Sequence, residues 1–106
     1  MTSFNDREKA FENKYKHDQE LQFKVEVRRN KMLGLWAAEL LGLSGADAEA
    51  YAKEVISSDF DEPGDEDVLR KVLADLESKT VDMTAHRLRK KMDELTALAK
   101  EQIMNE

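Results

Sequence analysis

No proline or other helix-breaking residue lies between Asn5 and Gly34, and this uninterrupted stretch constrains the fold more than any other feature of the sequence. From Asp18 to Leu41, apolar residues recur at helical spacing and make the wide face that a core-facing helix needs. Gly42 then supplies a stop signal. The pattern predicts a first helix over about 18–41, with an apolar face made of Leu21, Phe23, Val25, Val27, Met32, Leu33, Leu35, Trp36 and Leu40.

Three further helices follow, with breaks at Gly42–Gly45, Pro63–Gly64 and Lys79–Val81. Their predicted ranges are about 45–58, 65–78 and 82–104. Ser44 is the expected cap of the second helix and Asp65 that of the third, with Pro63 just ahead of it. No strand alternation or hairpin signal appears. The sequence therefore predicts an all-α protein, a small four-helix bundle over residues 18–106. The residues expected to turn inward after the first helix are Tyr51, Val55, Ile56, Val68, Leu69, Val72, Leu73, Leu76, Leu88, Met92, Leu95, Ala99 and Ile103.

Residues 1–17 are predicted to form a separate segment. Asn5 can cap a helix through Glu8, but apolar residues are too sparse for a core-packing helix. Phe4, Phe11 and Tyr15 lie at i, i+7 and i+11, which places them on one narrow stripe. Isolated helices of this length are marginal in water. We expect the segment to be disordered or fraying when free and helical when a partner receives it.

Composition excludes several classes of function. The net charge is −6, which argues against a general nucleic-acid binder. The chain has no cysteine, so neither disulfides nor thiolate chemistry is available. No apolar run approaches the roughly 20 residues that span a bilayer, and no signal peptide is visible. We expect a cytoplasmic protein that does not insert into the membrane.

Catalytic and cofactor motifs are also missing from the sequence. Neither a glycine-rich phosphate loop nor a nucleophile elbow is present, so an enzyme is not expected. His17 and His86 are far apart in sequence and predict no metal site. Arg28, Arg29 and Lys31 precede Trp36, which suggests weak adenine-nucleotide binding as a minor hypothesis. A core position for Trp36 is the favoured interpretation, and no other cofactor is expected.

The first 42 residues resemble a known family. The chain reads FNDREKAFENKYKHD and then RRNKMLGLWAAELLG, which resembles the signature of the small ATPase-inhibitor zeta subunits of bacterial F-type ATP synthases. The second and third helices are also similar to that family, and residues 79–106 match more loosely. The matching positions in the opening segment are Phe4, Arg7, Glu8, Ala10, Phe11, Glu12, Lys14, Tyr15, His17 and Asp18.

The resemblance implies a four-helix protein that binds the catalytic head of the ATP synthase and blocks ATP hydrolysis. Its N-terminal segment would enter an interface between alpha and beta subunits, near the gamma shaft, while the bundle acts as an anchor. The chain would then be peripheral to the inner membrane through the ATP synthase, and a monomer when free. The implied partner-binding residues are Phe4, Asn5, Arg7, Glu8, Lys9, Phe11, Glu12, Lys14 and Tyr15.

Three alternatives remain open at the level of sequence. In the first alternative, the chain is a helical adaptor with a different partner, because the sequence of an interaction helix does not identify what it binds. Alternatively, it is a small nucleotide-sensing protein. In the third alternative, residues 4–15 merely continue the first helix and pack against the fourth.

Overall fold

The chain folds into four helices in the computed structural model, which describes the backbone of residues 2–59 and 65–106 and the side chains of residues 19–59 and 65–106. They are α1 (Thr2–Leu40), α2 (Gly45–Ser58), α3 (Glu66–Ser78) and α4 (Ala85–Met104). No strand occurs in the described backbone. The all-α class and the four-helix architecture are therefore confirmed. Pro63, predicted to precede α3, lies outside the described residues.

Helix α1 is longer than the sequence predicted for the first helix, which was expected to span about 18–41. It runs without a break from Thr2 to Leu40, through the position near residue 18 where the bundle was expected to begin. The absence of any breaker before Gly34 explains this continuity. The separation of residues 1–17 as a unit of their own, and their order in the free protein, stay predictions.

A single apolar core joins the four helices. Most of the predicted inward residues are buried in it, while Ile56, Leu73 and Ile103 are half-buried. The predicted apolar face of α1 was too wide, because Phe23 and Leu40 are 54% and 41% exposed. The core cluster consists of Leu33, Ala37, Ala38, Tyr51, Val55, Val68, Leu69, Val72, Leu76, Leu88, Met92 and Leu95.

Two helices end in the same hydrogen-bonded motif. At the end of α1, the Leu43 amide donates to the Ala38 carbonyl, and Gly42 adopts a φ of +79°. This is the left-handed ending that glycine favours. At the end of α3, the Val81 amide donates to the Leu76 carbonyl, and Thr80 takes the left-handed position with a φ of +60°. The second ending is strained because threonine carries a branched Cβ.

The helix starts differ in how they are capped. Thr84 accepts a hydrogen bond from the Arg87 amide at 3.1 Å, so α4 begins at Ala85, three residues after the predicted start. Ser44 and Asp65 lie at the N-cap positions of α2 and α3 as predicted, but neither side chain makes a capping hydrogen bond. The Asp65 carboxylate binds arginines of other helices instead.

Candidate functional site at the base of the first helix

The acidic residues on either side of the α2–α3 connection face basic residues of α1 and α4. Arg29, only 5% exposed, directs its guanidinium to Asp65 at 3.4 Å and to Asp59 at 4.0 Å. Arg89 of α4 approaches the other oxygen of Asp65 at 3.3 Å and also pairs with Glu66. Basic residues of α1 and α4 thus bind the acidic residues on both sides of the connection.

Asn30 completes this network inside the protein. It is 1% exposed, accepts a hydrogen bond from Arg29 Nε at 2.9 Å and donates one to Asp59 at 3.0 Å. A buried charge is tolerated only when it is paired and hydrogen-bonded. Arg29 meets that condition through groups that lie 1, 30 and 36 positions away in the sequence. The network therefore fixes the rotation of α1 relative to the end of α2 and the start of α3.

The last turn of α4 lies near Leu21 and Val25 of α1, and we call this part of α1 its base. Leu21 and Val25 of α1 line an open groove of about 450 Å³ together with Ile103 and Met104 of α4. Met104 ends α4 and is 82% exposed. From Leu21, α1 continues back to Thr2.

Next to this groove, α1 presents three cationic side chains on one face. Lys24, Arg28 and Lys31 line a second groove of about 450 Å³, which Phe23 and Val27 of α1 and Ile103 of α4 share. We call this surface the basic face. Arg28 forms an ion pair there with Glu106.

The residues suggested for nucleotide contact lie in three different environments. Arg29 is buried in the polar network, Arg28 pairs with Glu106, and Lys31 is exposed. Trp36 is half-buried against the core, and Lys91 Nζ lies 5.4 Å from the centre of its ring. The basic side chains of Arg28 and Arg29 thus have protein partners already, and weak adenine-nucleotide binding stays a prediction.

The side chains of the predicted inhibitory segment lie outside the described residues. These are Phe4, Asn5, Arg7, Glu8, Lys9, Phe11, Glu12, Lys14 and Tyr15, and their assignment as partner-binding residues stays a prediction. His17 also lies outside the described side chains. Within the described ones, no group of three or more potential ligands could hold a metal ion, and His86 is exposed.

Sequence reasoning missed Asn30, Asp59 and Arg89 as members of one cluster. The sequence carries an acidic run around residues 59–67 and basic runs in α1 and α4. Their complementary signs were the signal available. The sequence does not show whether charged segments about 30 positions apart contact each other in the fold. It therefore could not distinguish paired side chains from side chains that face water.

None of the described helices is long and apolar enough to cross a membrane. The described residues define a small all-helical protein whose first helix, with 39 residues, is the longest of the four.

Comparison with known proteins identifies the family. The family model described as ATPase inhibitor subunit zeta matches residues 1–102, and the chain belongs to that family. A protein whose solution structure was determined by NMR is 53% identical, with a TM-score of 0.71. The alignment covers 80% of this chain and 96% of that one. A search of curated protein sequences gave no match.

Proposed function

We propose that the chain is an inhibitor that binds the catalytic head of F-type ATP synthase and blocks ATP hydrolysis. In this proposal the N-terminal part of α1 inserts at an interface between alpha and beta subunits, near the gamma shaft. The protein acts as a bound regulator and performs no chemistry itself. Family membership supports association with an ATP synthase, on the cytoplasmic side and peripheral to the membrane.

The observation that carries the proposal is the mismatch in length between α1 and α4. Helix α4 ends at Met104, beside Leu21, whereas α1 continues back to Thr2. At about 1.5 Å per residue, the 19 residues from Thr2 to Glu20 correspond to roughly 28 Å of helix. This geometry disfavours the alternative in which residues 4–15 pack on α4, because α4 stops before reaching them. A helix of this length suits insertion into a cleft.

The energetics require more than the aromatic stripe. Burying Phe4, Phe11 and Tyr15 would contribute about 1.5–3 kcal/mol each. Ordering the backbone of a disordered segment costs about 1–2 kcal/mol per residue, so three aromatics cannot offset the ordering of some fifteen residues. A helix propagated from the packed half of α1 lowers that cost, because nucleation has already occurred at Leu21–Leu40.

In this proposal, charged residues of the N-terminal segment determine the specificity of the contact. Arg7, Lys9, Glu12 and Lys14 pair with charged groups of the cleft, and such pairs fix register and orientation more than they add affinity. Asn5 and Glu8 act at the start of the helix, where side-chain oxygens satisfy free amides. Phe4, Phe11 and Tyr15 are the anchors in the groove.

Inhibition of isolated catalytic heads by single alanine variants tests these assignments. Phe11→Ala and Tyr15→Ala should each raise the concentration for half inhibition about tenfold or more, as expected for the loss of about 1.5–3 kcal/mol. The matched control is Leu98→Ala, which removes an apolar side chain that is 41% exposed on α4. Unchanged inhibition by both aromatic variants, with wild-type helix content, would remove the anchor assignment.

A further inference from the structure

We propose that the basic face of α1 binds an acidic amphipathic helix on the catalytic head, a contact additional to the inserted N-terminal segment. This inference rests on the proposed function, because it assigns a second contact to the same complex. The surface consists of Lys24, Arg28 and Lys31, with Phe23, Val27 and Ile103 beside them.

Spacing along α1 brings the three cations together. Lys24, Arg28 and Lys31 occupy positions i, i+4 and i+7, which lie on one face of a helix. Lys24 and Lys31 are exposed, and Arg28 is half-buried. Three positive side chains along two turns of helix match carboxylates at the same spacing on a partner helix.

The structure already shows a carboxylate bound to this surface. Glu106, which follows the end of α4, pairs with Arg28 and lines the groove beside Lys24 and Lys31. Both members of the pair are partly exposed, at 33% and 57% of their side-chain areas, so little is lost when one acid replaces another. Glu20, one turn before Lys24, lines a neighbouring groove with Phe23 and Lys24. A partner carboxylate would therefore take the place of Glu106 on Arg28.

Apolar atoms between the charges define the second property of the partner. Phe23 is 54% exposed, and Val27 and Ile103 are half-buried along the same groove. A purely ionic partner would leave this apolar area in water, whereas an amphipathic helix covers it while its acids reach the cations. On a chain of net charge −6, a cationic strip of this kind also orients the approach to an acidic surface.

The position of the basic face gives the contact a mechanical role. Lys24 lies nine residues after Tyr15 on the same continuous helix, or about 13–14 Å along its axis. A partner helix bound at Lys24 and Lys31 would fix both the direction and the rotation with which the N-terminal part of α1 enters the cleft. The contact thereby reduces the orientational entropy lost on insertion.

Charge reversal on the full-length chain tests the proposal. Lys24→Glu combined with Lys31→Glu should weaken binding to isolated catalytic heads about tenfold at low salt. The difference should largely vanish near about 1 M salt, where the Debye length is about 3 Å. The matched control combines Lys53→Glu and Lys90→Glu, which reverse two exposed lysines on α2 and α4. Helix content and Trp36 fluorescence verify that each variant is folded.

Removing the negative charge of Glu106 gives a second test, in which binding should become tighter. Glu106→Gln should tighten binding by about twofold, because Arg28 becomes available to the partner carboxylate. Glu49→Gln, an exposed acid on α2, is the control for the same change in net charge. Tightening by Glu106→Gln and not by Glu49→Gln is the expected result.

These experiments distinguish failure of the proposed inhibitory function from failure of the docking proposal. If the wild-type chain does not bind catalytic heads, the proposed function fails. If the wild type binds and the Lys24/Lys31 double variant binds equally well at low salt, only the docking surface is overturned. Vesicles of anionic phospholipid serve as a second probe. If they bind the wild type more tightly than catalytic heads do, and the double variant loses that binding, the basic face belongs to a membrane surface and the docking proposal is overturned.

Discussion

A Cβ atom on Gly34 would lie only 2.6 Å from Ala52 Cα, so α1 and α2 pack backbone against backbone at this point. Gly34→Ala should therefore lower the free energy of unfolding by about 2–3 kcal/mol, although alanine is the better helix former by about 1 kcal/mol. Chemical denaturation followed by Trp36 fluorescence measures the change. Glu39→Ala, at an exposed position on α1, is the control and should leave stability almost unchanged. Equal or greater stability of the Gly34→Ala variant would contradict the close contact.

The left-handed position at the end of α3 offers a stabilising substitution. Thr80 has a φ of +60°, and its amide donates to the Glu77 carbonyl in the helix-terminating motif. Glycine adopts this conformation without strain, so Thr80→Gly should raise the free energy of unfolding by about 0.5–1 kcal/mol after the larger entropy of the unfolded glycine is subtracted. Thr80→Ala keeps the Cβ atom and should gain much less. Thermal unfolding of both variants compares them, and an equal gain would disprove the strain at Thr80.

The neighbouring arginines of α1 should respond very differently to the same substitution. Arg29→Met removes the cation that faces Asp59 and Asp65 and leaves the buried Asn30 Oδ1 without its donor, so it should cost about 2–3 kcal/mol of unfolding free energy. Arg28→Met removes a partly exposed pair with Glu106 and should cost less than about 1 kcal/mol. Denaturant titration gives both values. Similar losses for the two variants would mean that the buried network does not hold α1 in place.

Tyr51 makes the stability of the bundle fall at alkaline pH. Burial, followed by the hydrogen bond and negative charge of Asp75, raises the pKa of the Tyr51 phenol well above its ordinary value. Above about pH 10 the unfolded chain loses the phenolic proton while the folded chain retains it, so stability that is present below that pH is lost as the pH rises.

The Tyr51→Phe variant isolates this effect from the titration of lysines. Above pH 10, ionisation of Tyr51 in the unfolded chain should lower the unfolding free energy of the wild type by at most about 1.4 kcal/mol per pH unit. The variant should lack this decrease. Near neutral pH the variant should lose about 1 kcal/mol, because the 2.8 Å hydrogen bond from the phenol to Asp75 is absent. Parallel pH profiles for the two proteins would show that Tyr51 ionises normally in the folded state.

The sequence was sufficient to predict the helices and most of the core. Helical spacing placed Leu88, Met92 and Leu95 in the core, and all three are buried. Gly42 was expected to end α1, and the φ of +79° at that residue confirms it. These features depend on local geometry, on the helical period and on the conformational freedom of glycine.

The polar interior could not be predicted in the same way. The sequence singled out Arg29 only as a possible nucleotide contact, yet it is buried, with Asp59 and Asp65 facing it from the end of α2 and the start of α3. Phe23 was assigned to the core by its position on the α1 apolar face, yet it is 54% exposed. Whether these side chains are buried depends on the positions of the neighbouring helices. The spacing of residues within one helix does not determine those positions.

ATP hydrolysis by isolated catalytic heads tests the central claim most directly. The heads are titrated with the full chain and with a version that lacks residues 1–17, each verified as folded by helix content and Trp36 fluorescence. We expect the full chain to inhibit hydrolysis and the folded, shortened chain not to inhibit it. Equal inhibition by both versions, or no inhibition by either, would contradict the assignment of the N-terminal part of α1 as the inhibitory element.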